Sequence, residues 1–122
     1  MNSARAAVTL ITGLGLGGCI PGTGSNLVVR SDAPNCVPAI ASALKSEGFK
    51  VVEEAPSSES KLSFEGAPYS GVFGRVYEAP ASGIRIYFGE RSFEFSKSAL
   101  EQRQRIIDRI SSVCGTVAVE KL

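Results

Sequence analysis

The sequence predicts an α+β fold, a two-layer sandwich of one mainly antiparallel sheet with two helices on one of its faces. Three observations carry this. Apolar residues recur at helical spacing after Asn35 and again after Ser98. The segments around and between those stretches alternate with the period of a strand. The resulting order, β-α-β, then antiparallel strands, then α-β, fits a split βαβ or ferredoxin-like arrangement with an added hairpin.

Each element has its own signature. Leu27-Val28-Val29 is a short β-branched run that Asp32 and Pro34 end as a turn. Asn35 can cap the helix that follows, Pro38 is tolerated in its first turn, and Val37, Ile40, Ala41 and Leu44 form its apolar stripe until Gly48. Phe49 to Glu54 reads as a strand, Ala55 to Ser60 as a polar loop, and Lys61 to Glu65 as a strand alternating around Leu62 and Phe64. Val72 to Glu78 and Ile84 to Phe88 are two more alternating strands, joined by the hairpin connection Ala79-Pro80-Ala81-Ser82-Gly83. In the second helix, Leu100, Ile106, Ile107, Ile110 and Val113 make one stripe, Ser98 with Glu101 fits a capping box, and Gly115 is the stop. Thr116 to Val119 is the returning strand.

The N-terminal segment has a different character. Arg5 supplies a positive charge, and Ala6 to Gly18 then runs uncharged through Val8, Leu10, Ile11, Leu14 and Leu16 into small residues. That is the charged, apolar and small-residue succession of a secretory signal, too short and too weakly apolar for a permanent span. Its end, Leu16-Gly17-Gly18-Cys19, resembles the lipobox of bacterial lipoprotein precursors. The resemblance covers only about the first 19 residues. It implies that residues 1–18 are removed and that Cys19 becomes the acylated first residue and membrane anchor. Residues 19–25 would then be anchor and flexible tether, and 26–122 the folded domain. Ile20 stands where enteric lipoproteins kept at the inner membrane carry Asp, so in a Gram-negative host the resemblance favours the outer membrane, facing the periplasm. The glycine-rich run Gly13 to Gly18 follows no strand and opens no helix, so it is not read as a phosphate loop.

With Cys19 lipidated, Cys36 and Cys114 remain as an even pair in an oxidising compartment, and a disulfide is expected. The predicted fold agrees, because antiparallel helices on one face bring the start of the first near the end of the second.

Composition excludes several function classes. The chain has 122 residues with 13 Lys+Arg against 12 Asp+Glu, a balance unlike that of a nucleic-acid binder. It has no His, which removes the commonest general base and metal ligand. Ser42-Ala43-Leu44-Lys45 and Ser58-Glu59-Ser60-Lys61 match S-x-x-K without its companion motifs, and Glu53-Glu54 and Glu90 with Glu94 read as solvated edge charges. No catalytic residue, cofactor, metal or nucleic acid is expected.

The two-layer fold leaves one sheet face without helices. By strand parity Val72, Val76, Ile84, Ile86 and Phe88 face the helices, while Phe73, Arg75, Tyr77, Arg85 and Tyr87 face away. Those five are the candidate partner-binding face, since aromatics and Arg concentrate binding energy at interfaces. The competing and favoured account is that they cover one another as Arg-aromatic stacks and only stabilise the sheet. The leading functional expectation is a lipid-anchored, non-enzymatic binding or scaffolding module of the cell envelope. Two alternatives are an immunity or inhibitor lipoprotein that neutralises a periplasmic toxin or lytic enzyme, and a small envelope hydrolase.

Overall fold

The computed structural model describes residues 22–30, 35–66, 70–79 and 83–121. Among them the chain forms β1 (Thr23–Val29), α1 (Cys36–Ser46), β2 (Lys50–Glu53), β3 (Ser60–Glu65), β4 (Val72–Ala79), β5 (Gly83–Glu90), α2 (Lys97–Cys114) and β6 (Val117–Lys121). The six strands make one sheet in the order β2-β3-β4-β5-β1-β6. Every neighbouring pair is antiparallel. The molecule is therefore the α+β sandwich expected. Since β1 lies between β5 and β6 and runs opposite to both, β5-α2-β6 is a split βαβ crossover, and β1-α1-β2 crosses over β5, β4 and β3. This order is compatible with a ferredoxin-like arrangement carrying two extra strands.

One face of the sheet meets the helices. Leu27 and Val29 of β1, Leu62 and Phe64 of β3, Val76 of β4, and Ile84, Ile86 and Phe88 of β5 are buried against Ile40 and Leu44 of α1 and Ala99, Ile106 and Ile110 of α2. Four aromatics fill the middle. The ring of Phe49, at the turn after α1, lies 5.1 Å from that of Phe64 and 6.4 Å from that of Phe88, which lies 6.0 Å from that of Phe95. Such edge-on and tilted packing suits the ring quadrupole. Gly74 of β4 makes room for Phe64, whose ring edge would lie 2.5 Å from any Cβ there.

The helices run antiparallel. At one end a disulfide joins Cys36, the first residue of α1, to Cys114, the last of α2, with Cα atoms 5.1 Å apart. At the other, Glu47 just past α1 accepts hydrogen bonds from α2, its backbone oxygen from Gln102 and its carboxylate from Arg105 at 2.9 Å. Arg109 adds an ion pair to Glu47 at 3.6 Å.

Several expectations are corrected. β1 starts at Thr23, so Thr23, Gly24 and Ser25, assigned to the tether, belong to the sheet. They pair with Glu90, Gly89 and Phe88. A Gly-Thr-Gly-Ser stretch lacks apolar periodicity, yet its backbone completes the ladder, and a Cβ at Gly24 would strike the Tyr87 ring. Asn35 precedes α1, but its side chain makes no capping bond. The cap of α2 is Ser96 rather than Ser98; its hydroxyl accepts from the Ala99 backbone N–H at 3.1 Å. In place of a Glu three residues on, Glu90 of β5 supplies the reciprocal contact, accepting from the Ser96 N–H at 2.7 Å and hydroxyl at 2.9 Å. Glu90 is therefore buried at 7% exposure, not a solvated edge charge. Leu100 and Val113 are exposed, and the stripe of α2 runs instead through Ala99, Ile106, Ile110 and Cys114. The readings placed on the signal segment, Cys19, the Asp32 to Pro34 turn and Pro80 to Ser82 lie outside the described residues.

Candidate functional site: the helix-free sheet face

The face opposite the helices is organised as cross-strand rows. One row is Lys50, Glu65, Phe73, Gly89 and Gly24 on successive strands from β2 to β1. The next is Val52, Ser63, Arg75, Tyr87, Asn26 and Glu120, reaching β6. The third includes Tyr77, Arg85, Val28 and Ala118. All five predicted face residues, Phe73, Arg75, Tyr77, Arg85 and Tyr87, therefore lie on this surface, because positions two apart on a strand share a face.

The rows divide into a self-covered half and an open half. On the β5-β1-β6 side, the Tyr87 ring lies over the two glycines opposite each other, Gly24 and Gly89, within 3.0 Å of where either Cβ would stand. An aromatic over paired glycines restores the packing those residues cannot supply. Tyr87 also lies 6.0 Å from Phe73. Arg85 reaches across β1 to Glu120 on β6, Nη1 to Oε1 at 3.0 Å, a half-exposed pair contributing at most about 1 kcal/mol.

The other half is less complete. The guanidinium of Arg91, just past β5, stacks 4.6 Å from the Phe73 centroid, a cation–π contact supplied by a residue outside the predicted five. Arg75 and Tyr77 are exposed, and among the described residues Arg75 has no carboxylate or aromatic partner. Next to them is a shallow groove of about 240 Å³ lined by Lys50, Val52, Ser63, Glu65, Phe73, Arg75 and Arg91. It carries three cations to one carboxylate beside an exposed Val52. That combination suits a partner segment with apolar and acidic side chains.

Sequence reasoning missed Lys50, Val52, Ser63 and Arg91 as members of this surface. The signal for the first three was present in the alternation of β2 and β3, but joining them to Arg75 requires the strand order. Arg91 lies beyond the alternating run of β5, so parity could not place it.

Elsewhere, Ser42 and Lys45 of one S-x-x-K match line a groove of about 680 Å³ together with Ser46 and Glu53. In the other match, Ser58 to Lys61, the Lys61 ammonium donates to the Pro56 carbonyl and the Ser58 hydroxyl accepts from the Ser60 N–H, so the two are not joined as nucleophile and base. Arg103 of α2 donates to the Ser25 hydroxyl at 3.0 Å beside the Phe95 ring, and burial lowers its pKa from the ordinary arginine value. Among the described residues, no three His, Cys, Asp or Glu side chains are grouped so as to hold a metal ion. Compared with known protein families and with curated proteins, the chain matches none.

Proposed function

We propose that this chain is a lipid-anchored envelope lipoprotein, acylated at Cys19 and facing the periplasm, whose domain acts as a non-enzymatic binding or scaffolding module. Its partner is a protein of the same compartment, docking on the open half of the helix-free face. The observation that carries the binding role is the state of Arg75 and Tyr77. They stay exposed, and Arg75 unpaired among the described residues, on a face whose other members, Phe73, Tyr87 and Arg85, already satisfy one another or a neighbour. If mutual cover were the whole role of the set, Arg75 would be expected to stack or pair as Arg85 does. The lipidation half rests on the order of residues from Arg5 to Cys19.

Site-specific photocrosslinking in the native envelope tests the binding role. A photoreactive residue at position 77 should give one discrete protein adduct that is absent from the same probe at Ser112, exposed on α2 in the helical layer. Arg75→Glu should reduce that adduct roughly 30-fold, the equivalent of about 2 kcal/mol for an interface hot spot. An adduct equally strong from position 112, or unaffected by Arg75→Glu in a folded protein, would remove the face as a docking surface.

A further inference from the structure

We infer that the end of the domain where β1 begins is a membrane-docking surface, with Phe93 as the side chain that enters the lipid headgroup layer. The inference rests on the lipid anchor proposed at Cys19 and adds to it which surface of the domain meets the bilayer.

Phe93 is 88% exposed, and the next most exposed large apolar side chain of the described residues, Val52, is 46%. Its exposure is not that of a loose tail. On one side the Arg91 N–H bonds the Gly71 carbonyl at 3.0 Å and the Ser92 N–H bonds the Glu90 carbonyl at 2.9 Å. On the other, Ser96 is held twice by the buried Glu90 carboxylate. The loop is clipped at both ends and holds an aromatic ring out into solvent.

Its position in the fold supplies the occupant. Thr23 pairs with Glu90, so the loop that follows β5 lies at the end of the sheet where the chain enters at Gly22. Thr23 and Gly24 share a groove of about 510 Å³ with Glu94, Phe95 and the exposed Leu100. Cys19 is three residues before Gly22, a reach of about 10 Å at full extension. An anchor so close brings this end to the lipid surface, and aromatic rings favour the headgroup depth of a bilayer. Exposed cations ring the same end: Lys45 in the last turn of α1, Lys50, Arg91 and Lys97. Glu65, Glu94 and Glu101 oppose them, while Glu47 and Glu90 are engaged by Arg105 with Arg109 and by Ser96. Charge is thus nearly balanced, and the apolar contact of Phe93 rather than lipid charge sets the docking.

The test uses the full chain in its own membranes, with an environment-sensitive fluorophore on Phe93→Cys, on Lys97→Cys as a second near-end position, and on Ser57→Cys as the far-end reference. Acylation is read in parallel with a clickable fatty acid. Expected are acyl label on all three and a blue-shifted fluorophore at 93, quenched about threefold more by nitroxide lipids than the one at 57, with 97 intermediate. Acylated protein in which 93 and 97 are quenched no more than 57 would overturn the docking surface and leave the anchor standing. Absence of acyl label from the parent chain, or label retained in Cys19→Ala, would overturn the anchor and the surface argued from it.

Discussion

Removing the Glu90 carboxylate tests whether one buried acid ties the sheet to α2. In Glu90→Ala the Ser96 N–H and hydroxyl lose acceptors at 2.7 and 2.9 Å. Hydrogen bonds to a charged group contribute about 1.5 to 3 kcal/mol each when buried, but Ser96 is exposed and water will replace part of the loss. A total of about 2 to 3 kcal/mol is expected. Ser96→Ala removes the bond to the Ala99 N–H as well as its own bond to Glu90, and should cost about 1 to 2 kcal/mol. Because the hydroxyl–carboxylate bond disappears in either single variant, while the backbone N–H bond survives Ser96→Ala, the double variant should cost less than the sum by about 1 kcal/mol. Urea unfolding followed by circular dichroism measures all four proteins. For a domain of this size, each kcal/mol corresponds to about 4 to 8 °C in melting temperature, a second reading of the same cycle. Additive losses, with a coupling under about 0.3 kcal/mol, would refute the hydroxyl–carboxylate half of the reciprocal cap, and a Glu90→Ala loss under about 1 kcal/mol would refute the tie to α2 itself.

Two further stability changes follow from the packing. Reduction of the Cys36–Cys114 bridge, which closes a separation of 78 residues, should lower stability by about 4 to 5 kcal/mol in the chain-entropy account. Urea curves with and without reductant decide it, and a difference below about 1 kcal/mol would contradict that account. Gly74→Ala should cost at least about 1 to 3 kcal/mol, because its Cβ meets the Tyr87 carbonyl oxygen and the Phe64 ring, and the backbone atom cannot swing aside. A melting temperature within a degree of the parent would show that the strand shifts freely there.

The alternation of β4 and β5 was legible because both strands bury one face completely, so Val76, Ile84, Ile86 and Phe88 point inward as parity requires. The disulfide was legible from the number of cysteines and the placing of Cys36 and Cys114 at opposite helix ends. Other features depend on contacts that no local pattern encodes. The first half of β1 is glycine and small polar residues, and it is a strand because Tyr87 and Arg103, 63 and 78 residues beyond their contacts Gly24 and Ser25, complete it. Ser96 and Ser98 both precede an apolar run, and only Glu90, from another element, selects the first as the cap. On the candidate site, the five residues were placed by parity, but which of them remain free was not. Arg85 is engaged by Glu120, a pairing that exists because β6 lies beside β1, and Phe73 is covered by Arg91 from the following loop.

The central place of β1 also has a mechanical meaning. A pull entering at Gly22 runs along a strand bonded on both edges, to β5 and to β6. If the load leaves through Arg75 on β4, the rungs between β1, β5 and β4 are stressed sideways together rather than peeled one by one. Should β1 yield, Cys36 is the next stop. Everything between it and Cys114, including both helices and β2 through β5, lies inside a covalent loop, so a load at Arg75 has to stretch both arms of that loop, from Cys36 and from Cys114, at once. A domain held to a membrane by its first strand would thus pay out only the short stretch from Gly22 to Asn35 before the bridge takes the force.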